Sequence, residues 1–345
     1  MDFKDHIGVD VGSDNVRICQ VARVGNGFRL LAFGTVALPE GLSGSESKAD
    51  IEKIGGIVRK LAKDIGATSN KAAIALPESQ VFTRVIDMPV LSEAELESAI
   101  AWEAEQYVPV PLADVLLRHK ILSIPEKVTP ESKMDVLLVA APHGLVEKYM
   151  RILKFSGLDP VAVETEIFAI SRALVGSDPY SPTSLVVNLG ATTTDLSVVN
   201  HGSLAFVRSI ATGGNAVTRS VSTDLNLDVS QAEEYKRVYG LDQSKLDGKV
   251  YTSVKTIVDV IVTEIKRALV YYQGKKSEDP VKRVVLSGGM AKMHGIVDYF
   301  GQALTLEVQV GNPVANISKT EQQTKTMLDD GPLYTTGIGL AVREG

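Results

Sequence analysis

The chain has 345 residues, 44% of them hydrophobic and 23% charged, and a net charge of −6. That length exceeds one ordinary core, so two or more domains are expected, with the composition of an α/β protein. The negative balance argues against a nucleic-acid binder, which would carry a basic face, and the single cysteine, Cys19, rules out an internal disulfide framework and fits a reducing compartment.

The N-terminus lacks the basic-then-apolar layout of a signal peptide, and no apolar run approaches the roughly 20 residues of a spanning helix. A cytoplasmic protein without direct membrane insertion is therefore expected. Residues 7–11, 17–24 and 29–36 read as three strands, with Gly25, Asn26 and Gly27 at a hairpin turn. Cys19 reads as a buried strand residue. A helix over 50–65 ends near Gly66, and 71–75 returns as a strand closed by Pro77.

A different unit begins with a strand at 81–87. Ser92 and Glu95 make a capping box and Leu91 and Leu96 a hydrophobic staple, for a helix that Pro109 and Pro111 stop. Trp102 on this helix is expected in the core or at a subdomain interface. Strands at 115–124 and 134–141 flank a polar turn, and a helix over 143–155 ends at Gly157. Residues 81–159 thus read as an α+β insert. A strand at 161–164, a helix at 167–174 and a linker at 176–182 follow.

The second half holds strands near 185–198 and 203–210, then helices at about 215–225, 230–239 and 250–274. Ile257, Val260, Ile261, Ile265, Ala268 and Tyr272 mark the apolar face of the longest helix. A strand at 281–287 enters Gly288, Gly289 and Met290, a helix covers 295–303, a strand 306–310, and a short helix 333–342. The expected division is 1–80 with 160–178 and 333–345, the insert 81–159, then 184–215 with 281–332, and finally 216–280.

One pattern occurs twice. Residues 7–18 (IGVDVGSDNVRI) and 185–198 (LVVNLGATTTDLSV) each read as strand, polar residue, glycine with small polar neighbours, and second strand. Asp10 and Asn188 occupy matching positions, 178 apart. Each segment predicts a hairpin whose glycine takes positive φ and whose turn N–H groups face outward, a row of donors that suits phosphate. Two such hairpins, each opening one half, suggest phosphates held between related domains.

The order of elements resembles the actin/Hsp70/hexokinase nucleotide-binding superfamily. Residues 8–13 match its first phosphate hairpin, 188–194 the second, and 284–290 the adenosine motif. Residues 166–173 and 336–341 match the two connecting helices, where Gly337 and Gly339 allow close packing. The runs 84–89, 95–109 and 157–164 further resemble the PilM family, the actin-like component of type IV pilus assembly, close to the division protein FtsA.

The resemblance implies an actin-like (ribonuclease H-like) two-domain α/β fold with the insert in the first half. It implies ATP or ADP with Mg2+ in the cleft, and Asp10 near the metal through water. Gly12, Ser13, Asp14 and Asn15 would meet the phosphates from one side, and Asn188, Gly190, Ala191, Thr192 and Thr193 from the other. Gly213 and Gly214 would line the floor, and Gly288, Gly289 and Met290 would support adenosine. Glu233 and Lys236 either reach the nucleoside or form an ordinary i,i+3 pair.

The second hairpin of that superfamily normally begins with Asp, and Asn188 cannot act as a base. Glu166 stands where a water-positioning residue is found. Slow or absent hydrolysis by a scaffold is therefore expected, with weak ATPase activity at most. The implied partner is the N-terminal cytoplasmic tail of PilN, with other pilus platform proteins and the assembly motor beyond it. That places the protein peripherally on the inner membrane.

The enzyme alternative is a small-molecule kinase, which needs an acceptor pocket with an Asp base. A chaperone would need a substrate-binding domain after residue 345, and a division protein a C-terminal amphipathic anchor. No Walker-type loop and no GxSxG elbow occur. His6, His119, His143, His201 and His294 lack metal-ligand spacing.

Overall fold

A computed structural model describes residues 6–125 and 127–344. β1 (Ile7–Val11), β2 (Asn15–Val24) and β3 (Gly27–Ala37) form an antiparallel meander. Gly25, at φ 60°, supplies the left-handed residue of the two-residue β2–β3 turn. α1 (Lys48–Asp64) starts at Ser47, whose side chain accepts from the Asp50 N–H. β4 (Lys71–Leu76) then runs parallel to β1.

β5 (Phe82–Pro89), α2 (Glu93–Glu105), β6 (Val115–Ser123) and β7 (Lys133–Pro142) build the insert, an antiparallel sheet in the order β5-β7-β6. The Ser92/Glu95 capping box forms as expected. Leu96, Ile100 and Ala104, spaced four apart, turn α2 onto that sheet. Trp102 falls on the opposite face and is 74% exposed, so the core or interface expected for it is not found within this chain.

The expected insert boundary is corrected at α3 (His143–Ser156). Its Leu145, Tyr149, Ile152 and Leu153 share a core with Ile54, Val58 and Leu61 of α1, so α3 belongs to the first half. Gly55 lets the two helices close, because a Cβ there would stand 2.6 Å from the Phe155 Cβ. β8 (Asp159–Thr165) extends the first sheet parallel to β4, and α4 (Glu166–Leu174) leads to the second half.

β9 (Ser184–Leu189), β10 (Thr194–Asn200) and β11 (Ser203–Ile210) repeat the meander. α5 (Gly214–Leu225), α6 (Val229–Tyr239) and α7 (Lys249–Lys275) follow. The apolar face of α7 is the expected one at Ile257, Ile261, Ile265, Ala268 and Tyr272, and departs from it at Val260. Val250, Val254, Val258, Ile261, Ile265, Ala268 and Tyr272 are buried, whereas Val260 is 48% exposed. β12 (Arg283–Ser287), α8 (Ile296–Leu304) and β13 (Glu307–Val310) complete this half.

The segment expected to end the second half returns instead to the first. β14 (Ile317–Ser318) pairs with β3. α9 (Glu321–Asp330) packs Met327 against Cys19, Val21 and Leu30, and Cys19 is buried as expected. α10 (Thr335–Ala341) closes the described chain.

The two sheets share one design. β3-β2-β1-β4-β8 and β11-β10-β9-β12-β13 have the same order, antiparallel over the meander and parallel beyond it. α4 and α10 pack together, with Ala169 and Leu340 buried against Ala73 and Ala75 of β4. Gly339 brings the α10 backbone against Ala169 of α4, where a side chain would strike the Ala169 carbonyl, and Gly337 leaves room for Cys19. The insert reaches across to the second half. Lys275 Nζ donates to Asp87 (3.2 Å) and Lys276 Nζ to Asp135 (2.9 Å).

Candidate nucleotide site

Both hairpin turns are held alike. The Gly12 N–H donates to the Asn15 carbonyl (3.0 Å), and the Gly190 N–H to the Thr193 carbonyl (3.0 Å). Neither glycine takes positive φ, which corrects the expectation for these turns. Glycine is required for space instead: a Cβ on Gly190 would stand 2.9 Å from the Thr193 carbonyl oxygen, and one on Gly12 3.3 Å from that of Asn15. Among the described residues, the N–H groups of Ser13, Asp14, Ala191 and Thr192 donate to no other backbone group. They form the donor row that the sequence suggests.

The tips of the hairpins meet across the cleft. Ser13 Oγ lies 2.9 Å from Thr192 Oγ1, and Asn215 Nδ2 donates to Asp14 Oδ2 (3.4 Å). The 213–215 loop docks on the second hairpin through Gly214 N–H to Gly190 O (2.9 Å) and Asn215 N–H to Ala191 O (2.8 Å). Gly213 permits this, because a Cβ there would meet three backbone atoms of residues 190–193 at 2.7–2.8 Å. Gly288, at φ 83°, presses equally close on Leu189, and a side chain there would strike its carbonyl.

Lys236 is buried, and its Nζ donates to Gly214 O (3.3 Å), Thr218 Oγ1 (3.0 Å) and Glu233 Oε2 (2.6 Å). Glu233 and Lys236 therefore form the i,i+3 pair, and Lys236 also borders the cleft loop. Gly289 follows Gly288 at the end of β12. Met290 is buried in the second-half core, so only its main chain could support a nucleotide.

Two buried acids, Asp10 and Asp195, stand on the hairpin strands. Asp10 faces Arg17 across the β1–β2 pair, and Arg17 Nη1 donates to Asp10 Oδ2 (3.3 Å). Burial raises the Asp10 pKa, opposed by the Arg17 charge and its hydrogen bond. Glu166 is raised well above the usual carboxylate range by burial, then by the negative charges of Asp10 and Asp195. Glu166 is the first residue of α4.

Asp195 is the residue that sequence reasoning missed. It stands opposite Asn188 in the β9–β10 register, is 1% exposed, and accepts from Ser209 Oγ (2.5 Å) and Thr193 Oγ1 (3.3 Å). Burial raises its pKa, opposed by hydrogen bonds from Ser209, Thr193 and Asn188. The signal was available, since Arg17 and Asp195 are also 178 positions apart.

The residues fit a magnesium nucleotide. Asp10, Asp195 and the hydroxyls of Ser13, Thr192 and Thr193 are hard oxygen donors, and the buried Arg17 Nε has no partner and could meet an anion. Among the described residues no three His, Cys, Asp or Glu side chains converge as a metal cage.

A model of the family described as type IV pilus assembly protein PilM matches residues 8–345. The chain belongs to the PilM family. A solved structure titled "PilM-PilN type IV pilus biogenesis complex" is 24% identical, with a TM-score of 0.85 over 98% of both chains. The ethanolamine utilization protein EutJ from Carboxydothermus hydrogenoformans is 17% identical, with a TM-score of 0.60 over 99% of this chain and 90% of that one.

FtsA of Bacillus subtilis (strain 168) is 20% identical over 381 residues, covering 97% of this chain and 82% of the relative. FtsA of Neisseria meningitidis serogroup B is 24% identical over 225 residues, covering 59% and 53%. The chain spans about half the length of that second relative. The PilM-family fold is actin-like, as its element order implies. Among the described residues no helix is long and apolar enough to cross a membrane.

Proposed function

We propose that the chain binds Mg-ATP or Mg-ADP between the two hairpins and serves as an actin-like scaffold in type IV pilus assembly. The observation that carries this reading is the meeting of the duplicated hairpin tips, Ser13 with Thr192, beside uncommitted backbone N–H groups, with Asn215 of the docked loop joined to Asp14. When bound, Mg2+ would neutralise phosphate charge. Asp10 would hold its water shell, the turn N–H groups would hold phosphate oxygens, and Lys236 and Glu233 would face the nucleoside. Glu166 would position water for a slow hydrolysis or none.

The partner reading is a PilN-type membrane protein whose short N-terminal cytoplasmic tail docks between the first half and the insert. Further platform proteins and the assembly motor stand beyond it, and the protein is held peripherally at the inner membrane. The similar solved structure, a complex of PilM with PilN, supports it. An extended tail can add to a free sheet edge or fill pockets with side chains. Titration calorimetry with Mg-ATP, followed by capture of the tail with and without nucleotide, tests both parts. No heat with Mg-ATP would overturn the cleft reading, and no capture under either condition the partner reading.

A further inference from the structure

Asp87 on β5 and Asp135 on β7 stand opposite each other in the strand register. Their neighbours Ile86, Met88, Met134 and Val136 are buried in the core beneath α2, and side chains alternate along a strand. The two acids therefore share the sheet face turned away from α2. Like charges directly opposite destabilise a strand pair, and here each is answered from the second half. Lys275 Nζ donates to Asp87 Oδ2 (3.2 Å) and Lys276 Nζ to Asp135 Oδ2 (2.9 Å). Asp135 also accepts from Ser123 Oγ of β6 (2.7 Å), so all three insert strands feed one contact.

The two lysines stand at the end of α7, and that end is firmly held. Tyr272, one turn back, is 2% exposed in the second-half core. The Lys276 N–H donates to its carbonyl (2.9 Å), and Tyr271 packs on Phe206 of β11 with ring centroids 5.6 Å apart. In the loop that follows, Asp279 accepts from Asn200 Nδ2 at the end of β10 (3.3 Å). The lysines are thus carried on a fixed post, and β5 of the insert runs beside β11.

A surface ion pair is ordinarily a weak, solvated contact. These two differ in arrangement. Consecutive residues of one helix end meet register partners on two strands, and the Asp135 side chain is only 18% exposed. The pairs join positions 188 and 141 apart in the chain and tie different halves of the molecule.

We infer that the two pairs form an electrostatic clasp between the insert and the second half, and that it holds the arrangement in which the hairpin tips meet. The insert is joined to the first half at β4 and α3, so freeing it from α7 lets the halves part. Anything that turns the insert must break the clasp, and salt must loosen it. Its effect on nucleotide rests on the reading of the cleft as a Mg-ATP site. Where only the closed arrangement binds, apparent affinity falls with the population of that arrangement.

The test uses the full chain with spin labels at Ala101→Cys on α2 and Val238→Cys on α6, both exposed; the native Cys19 is buried. Pulsed electron resonance then reads the distance between insert and second half. The parent at low salt should give one distance. Lys275→Ala with Lys276→Ala should add a second, with the parted population raised about three- to tenfold, as two such pairs allow. Salt at about 0.5 M should do the same to the parent. Asp135→Lys together with Lys276→Asp remakes one pair with its charges exchanged and should restore the single distance. If the double lysine variant keeps the parent's distance at every salt concentration, the inference falls. It falls equally if the exchanged pair restores nothing, because the effect is then not electrostatic. Mg-ATP release, followed by stopped-flow displacement, should be about three- to tenfold faster from the double lysine variant. Parting of the halves without faster release overturns the link to the cleft. A parent that binds no Mg-ATP overturns the cleft reading, while the label distances still decide the clasp.

Discussion

The two hairpins are built on one plan but carry their charge differently. In the first, Asp10 and Arg17 face each other across the strand pair; in the second, the same two positions hold Asn188 and Asp195. Each of these position pairs keeps one carboxylate, but it has changed strands, and among the described residues only the first has a cation to answer it. Asp195 is held by the hydroxyls of Ser209 and Thr193 instead. Burial raises the pKa of both acids, but in the first hairpin the Arg17 charge and hydrogen bond oppose the rise. The second offers an uncompensated acid that burial pushes towards its neutral form, unless Mg2+ or another cation arrives.

The comparison can be broken most severely at the backbone. Gly213→Ala would drive a methyl group into three main-chain atoms of the second hairpin at 2.7–2.8 Å, whereas Gly12→Ala meets its nearest atom at 3.3 Å. Overpacking of this kind costs typically 1–3 kcal/mol. Gly213→Ala should sit at the top of that range and Gly12→Ala at or below its foot, read as midpoint shifts in urea unfolding. Equal losses would mean that the second hairpin is no more tightly built than the first.

Asp10→Ala should come next. It removes the carboxylate of the compensated hairpin and should weaken Mg2+-dependent ATP binding at least tenfold, about 1.4 kcal/mol. Calorimetry that finds parent and variant equal would remove Asp10 from the site. Asn188→Asp should then show a smaller effect of the other kind. The new carboxylate would lie against buried Asp195, so the two would share protons, and stability should fall by about 1 kcal/mol as pH rises above neutrality unless Mg-ATP is present.

Much of this was legible in the sequence, where the period of a motif or the chemistry of a cap dictates geometry. The hairpins and the Ser92/Glu95 box formed where their residues stand. What escaped was decided by tertiary packing. α3 follows the insert in the chain, but its Leu145, Tyr149, Ile152 and Leu153 fit the core beside α1. α9 has a single buried residue, Met327, and so no apolar period, although Thr320 and Gln323 form a capping box that marks its start. Trp102 is apolar, yet it falls outside the four-residue spacing of Leu96, Ile100 and Ala104. Asp195 reads as one more strand residue until its register partner is known.

The finest test is a pair of isosteric changes with opposite expected signs. Asp10→Asn leaves Arg17, whose side chain is 18% exposed, without its anion, so the first hairpin should lose stability at pH 7. Asp195→Asn keeps one oxygen, for Ser209, and turns its NH2 towards Thr193 Oγ1, which can accept instead of donating, while it removes a charge that the fold disfavours. The folded-state pKa of Asp195 is raised above its ordinary 3.8. Between those two values the folded chain binds more protons than the unfolded one, and stability falls as pH rises. That loss is complete above the folded pKa and absent below 3.8. Asp195→Asn should therefore stabilise the protein at pH 7 and do nothing at pH 3.5. Thermal unfolding without nucleotide at both pH values measures it. If Asp195→Asn destabilises as Asp10→Asn does, the second acid has a compensating partner and the asymmetry between the hairpins is refuted.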